Sequence, residues 1–220
     1  MKKNRSLIII VLIIFSATIG TAYGANRTAP NPVDNYIESQ TEQFQDLMEI
    51  EAQEERTVPG WIFFFLKNNI TATVQTIGLG TFFGIFSIFS LAINGLLIGH
   101  VVPQAGLSIT STFSLLLPHG VFELTAYILA ATCGVKLGIA SYKSIRGEKL
   151  KPLKEAGKEI RYIIPSVLLL ITIAAIIEGI LGPHKEMITS SLNLQIGLIT
   201  FSLISLGSLF LWIGGKFEQN

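Results

Sequence analysis

Apolar residues in this chain fall into long unbroken runs separated by short polar stretches. The runs cover residues 7–19, 70–99, 107–117, 118–142, 162–181 and 192–214. A helix needs about 20 apolar residues to cross a hydrocarbon layer roughly 30 Å thick. The pattern therefore predicts an all-α, multi-pass transmembrane helical bundle of about five spans. Residues 1–24 form an N-terminal anchor helix or signal segment, with Ala22 and Gly24 as a small-residue cleavage site, residues 25–60 an extracytoplasmic segment, and residues 61–220 the transmembrane domain. Two runs do not fit a single crossing. Residues 70–99 exceed one perpendicular span, which predicts a tilted, kinked or overlong helix. Residues 107–117, at about 1.5 Å per residue, cover only half a bilayer. They predict a re-entrant or broken segment around 100–120 that turns at Pro118.

Composition agrees with the runs: half of the residues are hydrophobic, 14% are charged, and the mean hydropathy is +0.56. The net charge of +1 conceals a segregation. Asp34, Glu38, Glu42, Asp46, Glu49, Glu51, Glu54 and Glu55 lie in the segment 25–60 against Arg27 and Arg56, whereas seven bases lie between Lys143 and Arg161 against Glu148, Glu155 and Glu159. Segregation of this kind sets topology and gives no reason to expect nucleic acid as a partner. Lys2, Lys3 and Arg5 hold the start in the cytoplasm, so residues 25–60 are expected outside. There, Val33, Tyr36, Ile37, Phe44, Leu47 and Met48 recur at helical spacing after Asn31-Pro32. They predict an acidic amphipathic helix that either rests on the bundle or offers residues 31–56 to an extracytoplasmic protein. Trp61 to Leu66 reads as an aromatic interfacial belt. Counting residues 7–19, 70–99 and 118–142 each as one crossing puts the basic loop 143–161 outside, against the positive-inside tendency. The expectation is that this loop is cytoplasmic and that a segment between residues 61 and 142 is irregular.

Ionisable groups inside such spans cost of order 2.5–3.5 kcal/mol at mid-bilayer and tend to be paired. The candidates are His119, Glu123, Lys136 and Glu178, with Asn94 and Gln75 as neutral polar residues. His119 and Glu123 stand four apart and share a helix face, which continues through Ala126, Ala130, Gly134 and Gly138. That stripe, like Gly80 with Gly84 and Gly95 with Gly99, suits close helix packing. Pro118 would open a helix at its first position and Gly120 would keep that turn narrow. The expected result is a buried polar cluster of Asn94, His119, Glu123 and Glu178. It can dock helices, carry protons or ions, or hold a metal, and docking is favoured. Lys136 is expected to snorkel toward the basic loop. H-G-V-F-E is not the H-E-x-x-H zinc arrangement, His100 and His184 fall near span ends, and neither a nucleophile motif nor a glycine-rich phosphate loop is present. No catalytic residue, metal or cofactor is expected. Cys133 is the only cysteine, which excludes an intrachain disulfide.

Several of these elements occur in order: Phe65-Leu66-Lys67-Asn68-Asn69, Asn94-Gly95 with Gly99, Leu117-Pro118-His119-Gly120 with Glu123-Leu124, Gly134 with Gly138, and Ala174-Ala175-Ile176-Ile177-Glu178. Together they resemble the stage II sporulation protein M family of polytopic membrane proteins, with P-H-G-x-x-E as the specific element. The resemblance implies a membrane bundle whose polar positions fall on Asn68, Asn69, Asn94, His119, Glu123 and Glu178. No catalytic role comes with them. It also implies a scaffold, since the founding bacterial member holds cell-wall hydrolases at the septum, although relatives occur in organisms that make no spores. The expected function is a non-enzymatic membrane scaffold that self-associates through small-residue faces and contacts lipid. The rival is a transporter or channel-like component with a route lined by His119 and Glu123.

Overall fold

The computed structural model describes residues 5–25, 57–104 and 107–218. The acidic helix expected over 31–56 lies outside these residues. Among the described residues there is no strand. Six long helices are present: α1 (Arg5–Ala25), α2 (Val58–Leu79), α3 (Ile85–Gln104), α4 (Ile109–Lys143), α5 (Lys151–Leu181) and, after the short α6 (Lys185–Ser190), α7 (Leu192–Glu218). The all-α bundle is as expected.

Local chemistry sets the boundaries. Pro lies in the first turn of α2 and of α5, where a missing N–H costs nothing. Ser108 caps α4, its Oγ accepting from the Ser111 backbone N–H at 3.1 Å. Between α2 and α3 the chain reverses over Gly80 to Gly84, with Phe83 at φ 57° and Gly84 at φ 75°. Gly84 is needed there, because its left-handed backbone also lies against Val135 of α4.

This reversal corrects the sequence reading. Residues 70–99 are not one long span but an antiparallel hairpin of α2 and α3. Gly80-x-x-x-Gly84 has the spacing of a packing motif inside an apolar run, so the turn carried no polar signal. Conversely, α4 continues straight through Pro118, and no half-helix turns there. Pro118 is an interior residue, buried against neighbours, and the Ser114 carbonyl loses its helical donor. The break near residues 100–120 falls earlier, between the end of α3 and the Ser108 cap. The basic loop is also shorter than 143–161: a turn over Ser144–Glu148 leads into α5 at Lys151.

Contacts fix the helix directions. Gly95 meets Phe15 and Thr18 while Gly99 meets Ile19 and Ala22, so α1 and α3 run parallel. Thr76 reaches Tyr127 and Gly80 abuts Gly134, so α2 runs parallel to α4. Ser87 bonds the Thr76 carbonyl at 2.6 Å, and Gly138 packs on Phe83 and Gly84, which makes α3 antiparallel to both. Lys136 pairs with Glu159, setting α5 antiparallel to α4. Gln195 at the start of α7 bonds Ser111 Oγ near the start of α4, at 3.3 Å. The chain thus alternates between two ends. The α1 start, the 80–84 turn and the 144–150 turn share one, here the Arg5 end. The α1 finish, the α2 start, the α3–α4 junction and α6 share the other, the Ala25 end.

α4 is the hub: it packs against α1, α2, α3, α5, α6 and α7. One apolar core joins Phe122, Ala126, Leu129 and Cys133 of α4 to Ile160, Ile163, Val167, Leu170 and Ala174 of α5. A second joins Val11 and Phe15 of α1 to Leu91 of α3 and Tyr127 and Ala131 of α4. Lipid tails are as apolar as leucine, so the specificity of such a bundle comes from close packing and interhelical hydrogen bonds. The glycines supply the former. A Cβ at Gly80 or Gly134 would fall on the opposing backbone, as would one at Gly138. The small-residue stripes are therefore occupied inside one chain. Large apolar side chains such as Leu169, Ile176, Leu203 and Ile204 remain on the outside, where a membrane protein meets lipid. Among the described residues four helical stretches are long and apolar enough to cross a membrane alone: Arg5–Gly24, Ile109–Gly147, Lys151–Ser190 and Leu192–Leu209.

Candidate functional site

The polar residues inside the spans separate into two groups. On α4, Ile109 to Lys143, His119 and Glu123 are one helical turn apart on one face. The antiparallel α5 brings Glu178, near its last turn, against them. One donor atom from each of His119, Glu123 and Glu178 lies within 4.8 Å of the others, and all three side chains are half-buried. Neither a hydrogen bond nor an ion pair closes the trio among the described residues. Its position is near the Ala25 end of the bundle, where Gly179, next to Glu178, packs on Ile62 of α2.

Asn94, expected in the same cluster, belongs to the second group. Its Nδ2 donates to Tyr127 Oη at 2.8 Å and to the Ser90 carbonyl at 2.9 Å. Tyr127 Oη also bonds Ser90 Oγ and accepts from Thr76 Oγ1 at 3.3 Å. Thr76 and Ser90 hydroxyls meet at 3.1 Å. This network ties α2, α3 and α4 together one turn beyond Glu123. Tyr127 was absent from the sequence reading, yet its position four residues after Glu123 extends the His119 face and was a usable signal.

Lys136 reaches toward the stretch 143–161. It pairs with Glu159 across α4 and α5, 23 residues apart in sequence and brought level by the antiparallel packing. Of the remaining motif residues, Asn68 is exposed. Asn69 is 8% exposed and its Nδ2 has no partner among the described residues. Gly95, Gly99, Gly134 and Gly138 make the backbone contacts already given, while Gly120 has only Leu116 near a notional Cβ, so it permits no close approach of another helix. A surface cleft of about 510 Å³ opens at the Arg5 end between Thr81, Phe83, Ser141, Ser144 and Leu153. It is remote from the trio.

Chemically, the trio offers one imidazole and two carboxylates in a low-dielectric setting. Two like charges that close repel strongly unless a proton or a cation stands between them. The Tyr127 network is neutral throughout and its hydrogen bonds join α2, α3 and α4.

Comparison with known proteins adds the following. The family model described as "Stage II sporulation protein M" matches residues 7–183. An uncharacterized protein of Methanocaldococcus jannaschii is 34% identical over 117 residues, covering 51% of this chain and 51% of that protein. A second uncharacterized protein of the same organism is 29% identical over 122 residues, covering 54% of this chain and 68% of that one. The match thus spans about half the length of the first relative. No solved structure matches.

Proposed function

The chain belongs to the stage II sporulation protein M family, and from that premise we propose that it is a non-enzymatic scaffold of the cell membrane that organises an extracytoplasmic protein complex. The observation that carries the reading is the interlock of α2, α3 and α4. Backbone meets backbone at Gly80 and Gly134, Gly84 and Gly138, and the interior polar groups at Tyr127 bond one another. A bundle of this kind is a rigid mount.

The distribution of charge supplies the rest. Arg5, with Lys2 and Lys3 just before it in the sequence, lies at the same end as the 144–150 turn and the bases that follow it. The positive-inside tendency assigns that end to the cytoplasm and residues 25–60 to the outside. The acidic segment 31–56, which links α1 to α2 in the sequence, is then assigned to the outside. Self-association belongs to the same proposal, through lipid-exposed faces such as that of α7 rather than through the glycine stripes.

Crosslinking in native membranes tests this. Reversing the charges of Glu38, Glu42, Asp46 and Glu49 should abolish capture of extracytoplasmic proteins that wild type retains, while thermal unfolding of the bundle stays unchanged. Capture that survives the reversal sinks the scaffold reading. The transporter reading is favoured by one observation, the His119, Glu123 and Glu178 trio inside the spans. It requires ion or solute flux into liposomes that ceases in Glu123→Gln.

A further inference from the structure

We infer that His119, Glu123 and Glu178 form a site for a divalent transition-metal ion, Zn2+ foremost, clamping α4 to α5. The inference does not rest on the scaffold reading, since a bundle that captures no partner can still bind metal.

Three observations combine. First, the donors converge from two helices: His119 and Glu123 by their four-residue spacing on α4, Glu178 by the antiparallel register of α5. That register is held independently by the Lys136–Glu159 pair further along. Second, the separation suits a cation. Metal–ligand bonds of about 2.0–2.2 Å place neighbouring donors about 3–4 Å apart. Donor atoms that already lie within 4.8 Å of one another reach this by small rotamer adjustments. Third, among the described residues no hydrogen bond or ion pair engages the donors with one another, and Lys136, further along the same helix, has Glu159 as its partner. A dication would offset two carboxylates at a depth where their mutual repulsion is little screened.

The donor set selects the metal. Calcium and magnesium favour all-oxygen shells, and soft Cu(I) favours sulfur, while Cys133 is not among the donors. One imidazole with two carboxylates fits Zn2+, and next Mn2+. Three protein donors leave a fourth position for water or an exchanging ligand, so binding should be reversible. H-E-x-x-H spacing is irrelevant here because the third donor comes from another helix.

The experiment uses the purified full chain in nanodiscs, stripped with chelator and dialysed against Zn2+ or Mn2+ alone. Wild type should retain one zinc per chain. Loss of even an outer partner of a metal site costs about 10- to 100-fold in affinity. His119→Gln, Glu123→Gln and Glu178→Gln should therefore each lose at least that much, whereas exposed His184→Gln should bind as wild type does. Zinc held equally by wild type and Glu178→Gln, an adventitious ion only, overturns the site, as does wild type holding none. Should the variants fail to fold, X-ray absorption at the zinc edge of wild type decides: one imidazole with oxygen donors supports the site, and a shell without imidazole or with sulfur overturns it.

Discussion

At the residue scale, glycines decide how closely the helices approach. Gly134 faces the Thr76 carbonyl and the Ser87 side chain, and neither can retreat without breaking the bond between them. Overpacking a well-filled interior typically costs about 1–3 kcal/mol. Gly134→Val should reach the upper part of that range, seen as a lowered unfolding temperature in detergent. Gly157 has open space around it on α5. Gly157→Ala should leave stability unchanged or raise it by up to about 1 kcal/mol through helix propensity. Equal effects at both positions would argue against the interlock. The same scale shows what was legible beforehand. Glu178 could be placed with His119 and Glu123 because charged residues in lipid seek company. Asn94 could not be assigned to Tyr127 rather than to that trio, since partner choice depended on which helix α3 faced.

At the element scale, the 80–84 reversal is the feature that reorders the topology. Cysteines introduced at Phe82 and Gly147 should react with an impermeant thiol reagent from the same side of the membrane. Cysteines at Ser108 and Met187 should react from the opposite side, and native Cys133, fully buried, should not react. A single span over 70–99 would instead shield position 82. Helix existence and the approximate bounds of the later spans were readable from apolar runs. The reversal was not, because its residues Gly80 to Gly84 are as apolar as the helices they join. The irregularity demanded by charge parity was therefore real but misplaced, assigned to Pro118, which a helix with so many packed neighbours accommodates.

At the scale of the molecule, the six long helices put Arg5 and the 144–150 turn with its flanking bases at one end, the parity that the positive-inside tendency asks for. Two clusters then hold one orientation. Neutralising Lys2, Lys3 and Arg5 alone should leave the topology intact by reporter fusion, because Lys149, Lys151, Lys154 and Lys158 still favour the same side. Neutralising both sets should give mixed orientations. Finally, the α2–α3 hairpin bears on how the protein is made. Neither α2 nor α3 is among the helices long and apolar enough to cross alone, and the side chains that make them less greasy, Thr76, Ser87, Ser90 and Asn94, are turned toward one another and Tyr127. The expected consequence is that the two insert as a pair, with Tyr127 of α4 completing their hydrogen bonds when that helix joins them.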